Sequence, residues 1–137
     1  MALNSSVKID VSGVLTAVRD MGNPSVSVSR SVAVALASGT LANQADVIFA
    51  DTRTVAASAT DALDLIGGGL TDHLGTAFAP VKLKALLLIA SGLNTNAVQL
   101  VRPATNGVPI FMAAGDGISL LPGAAFCWVS PNLTGWP

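Results

Sequence analysis

Residues 25–38 read SVSVSRSVAVALAS, and the order of residue types in that stretch decides the fold class. Even positions from Val26 carry Val26, Val28, Arg30, Val32, Val34 and Leu36. Odd positions carry Ser25, Ser27, Ser29, Ser31, Ala33, Ala35 and Ala37. Successive side chains on a strand point to opposite faces, so this alternation separates an aliphatic face from a small, hydroxyl-rich one. It predicts one long strand, or two in line. The alanines do not argue for helix, because they alternate with Val and Leu instead of recurring with a period of 3.6. Arg30 interrupts the aliphatic row and marks where the strand leaves a core or crosses to a neighbour.

Further strand-like runs lie on both sides. Asp46–Ala50 (DVIFA) is β-branched and aromatic at its centre. Lys82–Ala90 (KLKALLLIA) starts amphipathic and ends continuously apolar, like a strand buried on both faces. Ala97–Val101 alternates, Val108–Met112 makes a short run, and Ile118–Leu121 and Phe126–Val129 complete the set. Pro109 cannot donate to a ladder, which puts its run at an edge or a strand start. Val7–Val11 and Val14–Val18 are weaker candidates. Turn signals punctuate the runs at Met21–Pro24, Ser91–Asn94, Asn106-Gly107, Gly115–Gly117 and Pro122-Gly123. Asn94-Thr95-Asn96 and Asn106-Gly107 have hairpin chemistry, since Asn and Gly tolerate positive φ.

Helix signals are poor. Gly13–Asp20 has room for two turns at most, and Ser58–Leu65 reads as a short helix capped by Thr60. The expected architecture is all-β, a β-sandwich or jelly-roll-like fold with an extended N-terminal arm. Residues 1–13 form the arm, and residues 14–137 form a single β-sandwich domain.

Composition bounds the function. Alanine fills 22 of 137 positions, aromatics are 4% and charged residues 11%, against about 25% charged in a typical soluble domain. So few charges leave a free monomer with weakly solvated surface, which partner subunits would cover. Seven Lys and Arg face eight Asp with no Glu, for a net charge of −1. That balance gives no basic stripe for a phosphate backbone, so no direct nucleic-acid partner is expected. One cysteine, Cys127, leaves no intrachain disulfide. The N-terminus MALNSSVKID lacks a basic segment followed by an apolar run, so no signal peptide is read there. The aliphatic stretch Ala85–Ala90 is far short of the roughly 20 residues a membrane helix needs, and no membrane partner is expected.

Each residue capable of chemistry has a plainer reading. His73, beside Asp72, has the makings of a general base, but a lone histidine without a nucleophile is more often a surface or interface residue. Asp61, Asp64 and Asp72 lack EF-hand spacing and a bidentate Glu, and read as turn residues. Gly67-Gly68-Gly69 lacks the Lys-Ser/Thr of a phosphate loop. Cys127, between Phe126 and Trp128, reads as a buried, inert thiol. Phe126 and Trp128 share a strand face and read as core, while Trp136 reads as an interface anchor in preference to a sugar platform. No catalytic, cofactor or metal residues are assigned, and an enzyme is not expected.

From Ala45 onward the chain resembles small structural proteins of tailed-bacteriophage virions, of the capsid decoration or cement kind. The resemblance rests on Ala62-Leu63-Asp64-Leu65, Leu70-Thr71-Asp72-His73-Leu74-Gly75, Phe78-Ala79-Pro80-Val81-Lys82 and the Ala85–Ile89 run. It continues through Asn94-Thr95-Asn96, Gly107-Val108-Pro109-Ile110 and the Leu121-Pro122-Gly123 turn before Phe126 and Trp128. It implies a β-sandwich or jelly-roll module on the outside of a phage head, often a trimer, that stabilises the head against internal DNA pressure. The implied partners are the major capsid protein or other virion subunits and further copies of the chain itself. Residues before Ala45 match no pattern of the family, and an arm lying along the capsid surface is the expectation for them. Similar chains run on past the equivalent of Gly135-Trp136-Pro137 into further strands. Closure of the sandwich is therefore expected from a neighbouring subunit or from additional chain. The expected interface residues are Val7, Ile9, Arg30, His73 and Trp136. Alternative readings are a tail or head-fibre component and a carbohydrate-binding β-sandwich module.

Overall fold

The computed structural model describes residues 2–65, 67 and 69–132, and among these it is all-β, with no helix. Its longest elements are β1 (Ser5–Thr16) and β2 (Ser25–Ser38), which pair antiparallel in unbroken register from Ser5↔Leu36 to Thr16↔Ser25. The alternating stretch is thus one strand, and its 14 residues span about 45 Å at roughly 3.3 Å per residue. The expected boundary after residue 13 falls inside β1, where Gly13 pairs with Val28. The window Gly13–Asp20, given room for helix, supplies the end of β1 and part of the connection instead. In that connection Ala17 N–H donates to the Pro24 carbonyl at 3.1 Å and Gly22 N–H to Arg19 at 3.2 Å. Gly22 has φ 128, which a residue bearing Cβ rarely adopts, and this explains glycine within the predicted turn.

The inner end of the ribbon is tied to the rest of the chain. A two-residue strand, β3 (Gln44–Ala45), runs parallel to β2 through Ala37↔Gln44 and Ser38↔Ala45. Asn43 takes φ 56 and donates its N–H to the Pro131 carbonyl at 2.6 Å, joining the ribbon base to the segment after the last strand.

Four short strands make two further sheets. β4 (Ala85–Ile89) pairs antiparallel with β7 (Ala125–Val129), and β5 (Val98–Val101) pairs antiparallel with β6 (Gly117–Leu120). The β5–β6 pair is therefore nested inside the β4–β7 pair. Leu86, Leu88, Phe126 and Trp128 share one face of β4–β7, as expected for Phe126 and Trp128. Lys84 lies just outside β4, and Ser130 N–H donates to its carbonyl at 2.8 Å, carrying the pairing one step further. The buried Lys84 ammonium donates to the Asn132 carbonyl, which compensates its removal from water. Buried apolar residues are Leu36, Phe78, Ala90 and Leu120, and no large side chain among the described residues is completely enclosed.

Three expected elements take other forms. Asp46–Ala50 makes no strand. Its central Phe49 packs on Phe78 with ring centroids 5.2 Å apart, so side-chain burial is satisfied without a ladder partner. Val108–Met112 is turn and bend, because Arg102 turns its guanidinium to the Phe111 and Met112 carbonyls at 2.9 and 3.0 Å. Those carbonyls are then engaged with a charged donor and not with a strand. Ser58–Leu65 is not helical, since Ser58 has φ 62 in a turn closed by Ala59 N–H to the Ala56 carbonyl at 3.0 Å. Asn94-Thr95-Asn96 links strands of two different sheets, so it is not a hairpin turn.

Two glycines carry the nested pairs. At Pro122-Gly123 the turn closes through Ala124 N–H to the Leu121 carbonyl at 2.9 Å, with Gly123 at φ 80. Proline followed by a positive-φ glycine is type II turn chemistry. Gly117 lies so close to β5 that a Cβ would collide with the Leu100 carbonyl oxygen. Gly117→Ala must therefore push β6 off β5, at an expected cost of roughly 1–3 kcal/mol in urea unfolding. A midpoint unchanged from wild type would contradict this packing.

Candidate assembly surface

The register of β1 against β2 creates the surface of most interest. Antiparallel partners share a face, so Val7, Ile9, Val11, Gly13 and Leu15 lie with Val34, Val32, Arg30, Val28 and Val26. The opposite face carries Ser6, Lys8, Asp10 and Ser12 with Ala35, Ala33, Ser31 and Ser29. There Lys8 and Asp10 form an ion pair of 3.0 Å, and Asp10 is held below its ordinary pKa by the Ser31 hydroxyl and by Lys8. The ribbon is amphipathic from Ser6 to Ser12, and beyond that Val14, paired with Ser27, places an exposed aliphatic side chain on the second face.

Burial of the apolar face changes along the ribbon. Leu36 is 4% exposed at the base, and Val7 and Val34 are half-buried beside it. Ile9 is 40% exposed, Val32 58%, Val28 56%, Val26 61%, Val11 66% and Leu15 76%. Beyond the base, then, a row of β-branched and aliphatic side chains is left largely uncovered by the described residues. A cleft of ≈ 480 Å³ lies where the base of β1 approaches Ala85, Leu86, Leu87 and Cys127. A second, shallower hollow of ≈ 290 Å³ is lined by Gly13, Val14, Leu15 and Val28. It exists because Gly13 has no side chain, and a Cβ there would meet nothing within 4 Å.

The total surface agrees. The chain exposes 10056 Å², whereas a compact folded monomer of 13.7 kDa exposes about 6,600 Å² by the usual size scaling. The excess is about four times the roughly 800 Å² that each partner buries in a standard interface.

Of the expected interface residues, Val7, Ile9 and Arg30 come together on the apolar ribbon face. Arg30 is the only charge on it, and its guanidinium donates to the adjacent Ser29 carbonyl at 3.1 Å. His73 is exposed on a separate turn, Thr71–Ala77. That turn is built by Asp72, whose Oδ1 accepts N–H groups of Leu74 and Thr76 at 2.9 and 2.8 Å. Trp136 lies outside the described residues. Cys127 is half-buried, not sealed in a core, and faces the cleft opposite to Phe126 and Trp128. Sequence reasoning missed Val11, Leu15, Val26 and Val28 as surface. Their signal was present in the alternation, but the parity of β1 relative to β2 was not.

The acidic residues resolve into local roles. Asp64 Oδ1 accepts the Gly67 N–H at 2.8 Å. Arg53 bridges Asp51 at 3.0 Å and makes a two-point contact with Asp61. Among the described residues no three His, Cys, Asp or Glu side chains converge as a metal-binding group. The Arg53 hydrogen bonds hold the Asp61 carboxyl below its ordinary value of 3.8. A depressed carboxylate stabilises the fold above its unfolded-state pKa, and that contribution fades as pH falls through the lower folded-state value. In a carbon-detected titration Asp61 is expected to titrate below 3.8, and Arg53→Ala to return it there. An unmoved midpoint in the variant would mean that the bidentate pair does not persist in solution.

No protein-family model, curated protein or solved structure matches the chain. Its function is therefore read from the fold and from this surface.

Proposed function

We propose that the chain is a non-enzymatic virion structural protein that decorates and stabilises a phage capsid from outside, through subunit–subunit contacts. The observation that carries this reading is the long apolar face of the β1–β2 ribbon, exposed on a chain with only 11% charged residues. Exposed aliphatic surface of that extent is the mark of a site of association. The work is binding alone. Each copy contributes a modest contact, and repetition over a lattice multiplies it.

The nested strand pairs favour the finer architecture as well. In a jelly roll a long antiparallel ribbon folds over on itself, so that its inner pair lies within an outer pair. β5–β6 inside β4–β7 repeats that order for four strands. The β4–β7 sheet leaves Leu87 61% and Ile89 69% exposed on the face away from Phe126 and Trp128. A second layer over that face would complete a sandwich.

The reading is tested by adding the purified chain to phage heads of its source that lack it. Saturable co-sedimentation with the heads, and greater resistance of those heads to heat-induced DNA release, are the expected results. Heads that bind none of it would overturn the reading.

A further inference from the structure

We infer that Asn106 is a site of spontaneous covalent modification: in the folded chain Asn106-Gly107 passes through a cyclic imide to a mixture of aspartate and isoaspartate. The inference stands apart from the assembly reading and does not depend on it.

Sequence singles out the position. The reaction begins when the amide nitrogen of the following residue attacks the asparagine Cγ. A side chain on that following residue crowds the approach, and glycine has none. Asn106 alone among the asparagines precedes glycine. The others precede residues that bear side chains, and Asn23 precedes Pro24, whose nitrogen has no hydrogen to lose.

The fold leaves the reacting groups free. Asn106 is exposed. Among the described residues, neither its carboxamide nor the Gly107 N–H is held in a hydrogen bond. Asn43 makes the contrast. It has the same left-handed backbone, φ 56 in both, but the Gln44 N–H that follows it donates to the Leu41 carbonyl at 3.2 Å. Asn106 lies in the connection from β5 to β6. The ends of that connection are tied by Arg102 N–H to the Asp116 carbonyl and Gly115 N–H to the Arg102 carbonyl, each at 2.9 Å. Its far limb is tied by the Arg102 guanidinium to the Phe111 and Met112 carbonyls. Residues 103–107 make no backbone hydrogen bond of their own among the described residues. A stretch so lightly held opens at little cost, and an L-residue readily leaves the left-handed region.

The chemistry needs only water. The Gly107 nitrogen loses its proton to solvent base and bonds to Cγ, and the side-chain nitrogen leaves as ammonia. Water then opens the ring. Attack at Cγ gives aspartate, and attack at the main-chain carbonyl of residue 106 gives isoaspartate. Either product adds one negative charge to a chain of net charge −1. Isoaspartate also lengthens the main chain just before Gly107. That glycine lies so close to the Arg102 stem and the Pro103 carbonyl that a Cβ would collide with both, so the longer chain must shift it from this contact.

The test incubates the whole folded chain at mildly alkaline pH beside an unstructured peptide of residues 102–111, until the peptide has converted. An acidic species is expected from the chain on ion exchange, at a rate within about tenfold of the peptide's, because local opening costs little. Peptide mapping should place it at position 106, as a mixture with isoaspartate the larger share, and its rate should rise with pH. Asn106→Gly, which suits the positive φ, should abolish it. An intact Asn106 in the chain after the peptide has converted, a first acidic species that maps to another asparagine, or a product that is aspartate alone would each overturn the inference.

Discussion

In a Phe78→Ala variant, urea unfolding is expected to lose about 3–5 kcal/mol, enough to remove much of the roughly 5–15 kcal/mol by which native domains are stable. Phe78 is 7% exposed and is one of only four buried apolar residues among those described. Its ring stacks 5.2 Å from Phe49, and its backbone N–H donates to the Leu70 carbonyl at 2.8 Å. The ring thus holds the segment around Phe49, while the backbone bond to Leu70, which alanine keeps, closes the Thr71–Ala77 turn. These stretches have no ladder to fall back on, so the cavity left by alanine is not shared with regular structure. A loss below about 1 kcal/mol would show that the segment between β3 and β4 is held by something other than this aromatic pair.

The second large effect is expected at Leu36. Leu36 is 4% exposed where the ribbon enters the body, and Leu36→Ala is expected to cost about 2–5 kcal/mol. Its register partner is Ser5 and its neighbours on the face are Val34 and Val7, both only half-buried. No other large side chain of the ribbon is in a position to replace it. Truncation of the same face further out should behave differently. Val28→Ala in the isolated monomer is expected to stay within about 0.5 kcal/mol of wild type, because it removes contacts with water and not with protein. Equal losses at Leu36 and Val28 would mean that the distal face is already covered within a single copy.

The strands that could be read directly from sequence are those whose side-chain periodicity does the work. β2 declares itself by Ser/Val alternation, and β5, β6 and β7 match the runs Ala97–Val101, Ile118–Leu121 and Phe126–Val129 to within one residue at each end. β1 was weaker because Lys8, Asp10 and Gly13 interrupt its apolar row. Pairing was not legible. β4 finds its partner in β7 and not in the next strand along, a choice made by long-range packing and absent from local pattern. Where local propensity and tertiary packing disagreed, packing won. Asp46–Ala50 has strand composition but uses Phe49 to bury against Phe78, and Val108–Met112 yields its carbonyls to Arg102.

The candidate surface was legible only in half. Val7, Ile9 and Arg30 were picked out singly, yet what makes them one surface is the register between two strands. The connection from Ala17 to Pro24 sets that register, and a shift of one residue would have mixed the two faces. His73 lies exposed on a separate turn that Asp72 builds from backbone contacts, away from the register that gathers the other three.

The most direct test of the central proposal, that this chain works by assembling into a capsid, is its copy number in purified virions from its source, relative to the major capsid protein. The proposal requires a ratio near one or a simple fraction of it, as repeated decoration of a lattice demands. A handful of copies per particle would contradict it in favour of a tail or fibre component, and complete absence would remove the chain from the virion altogether.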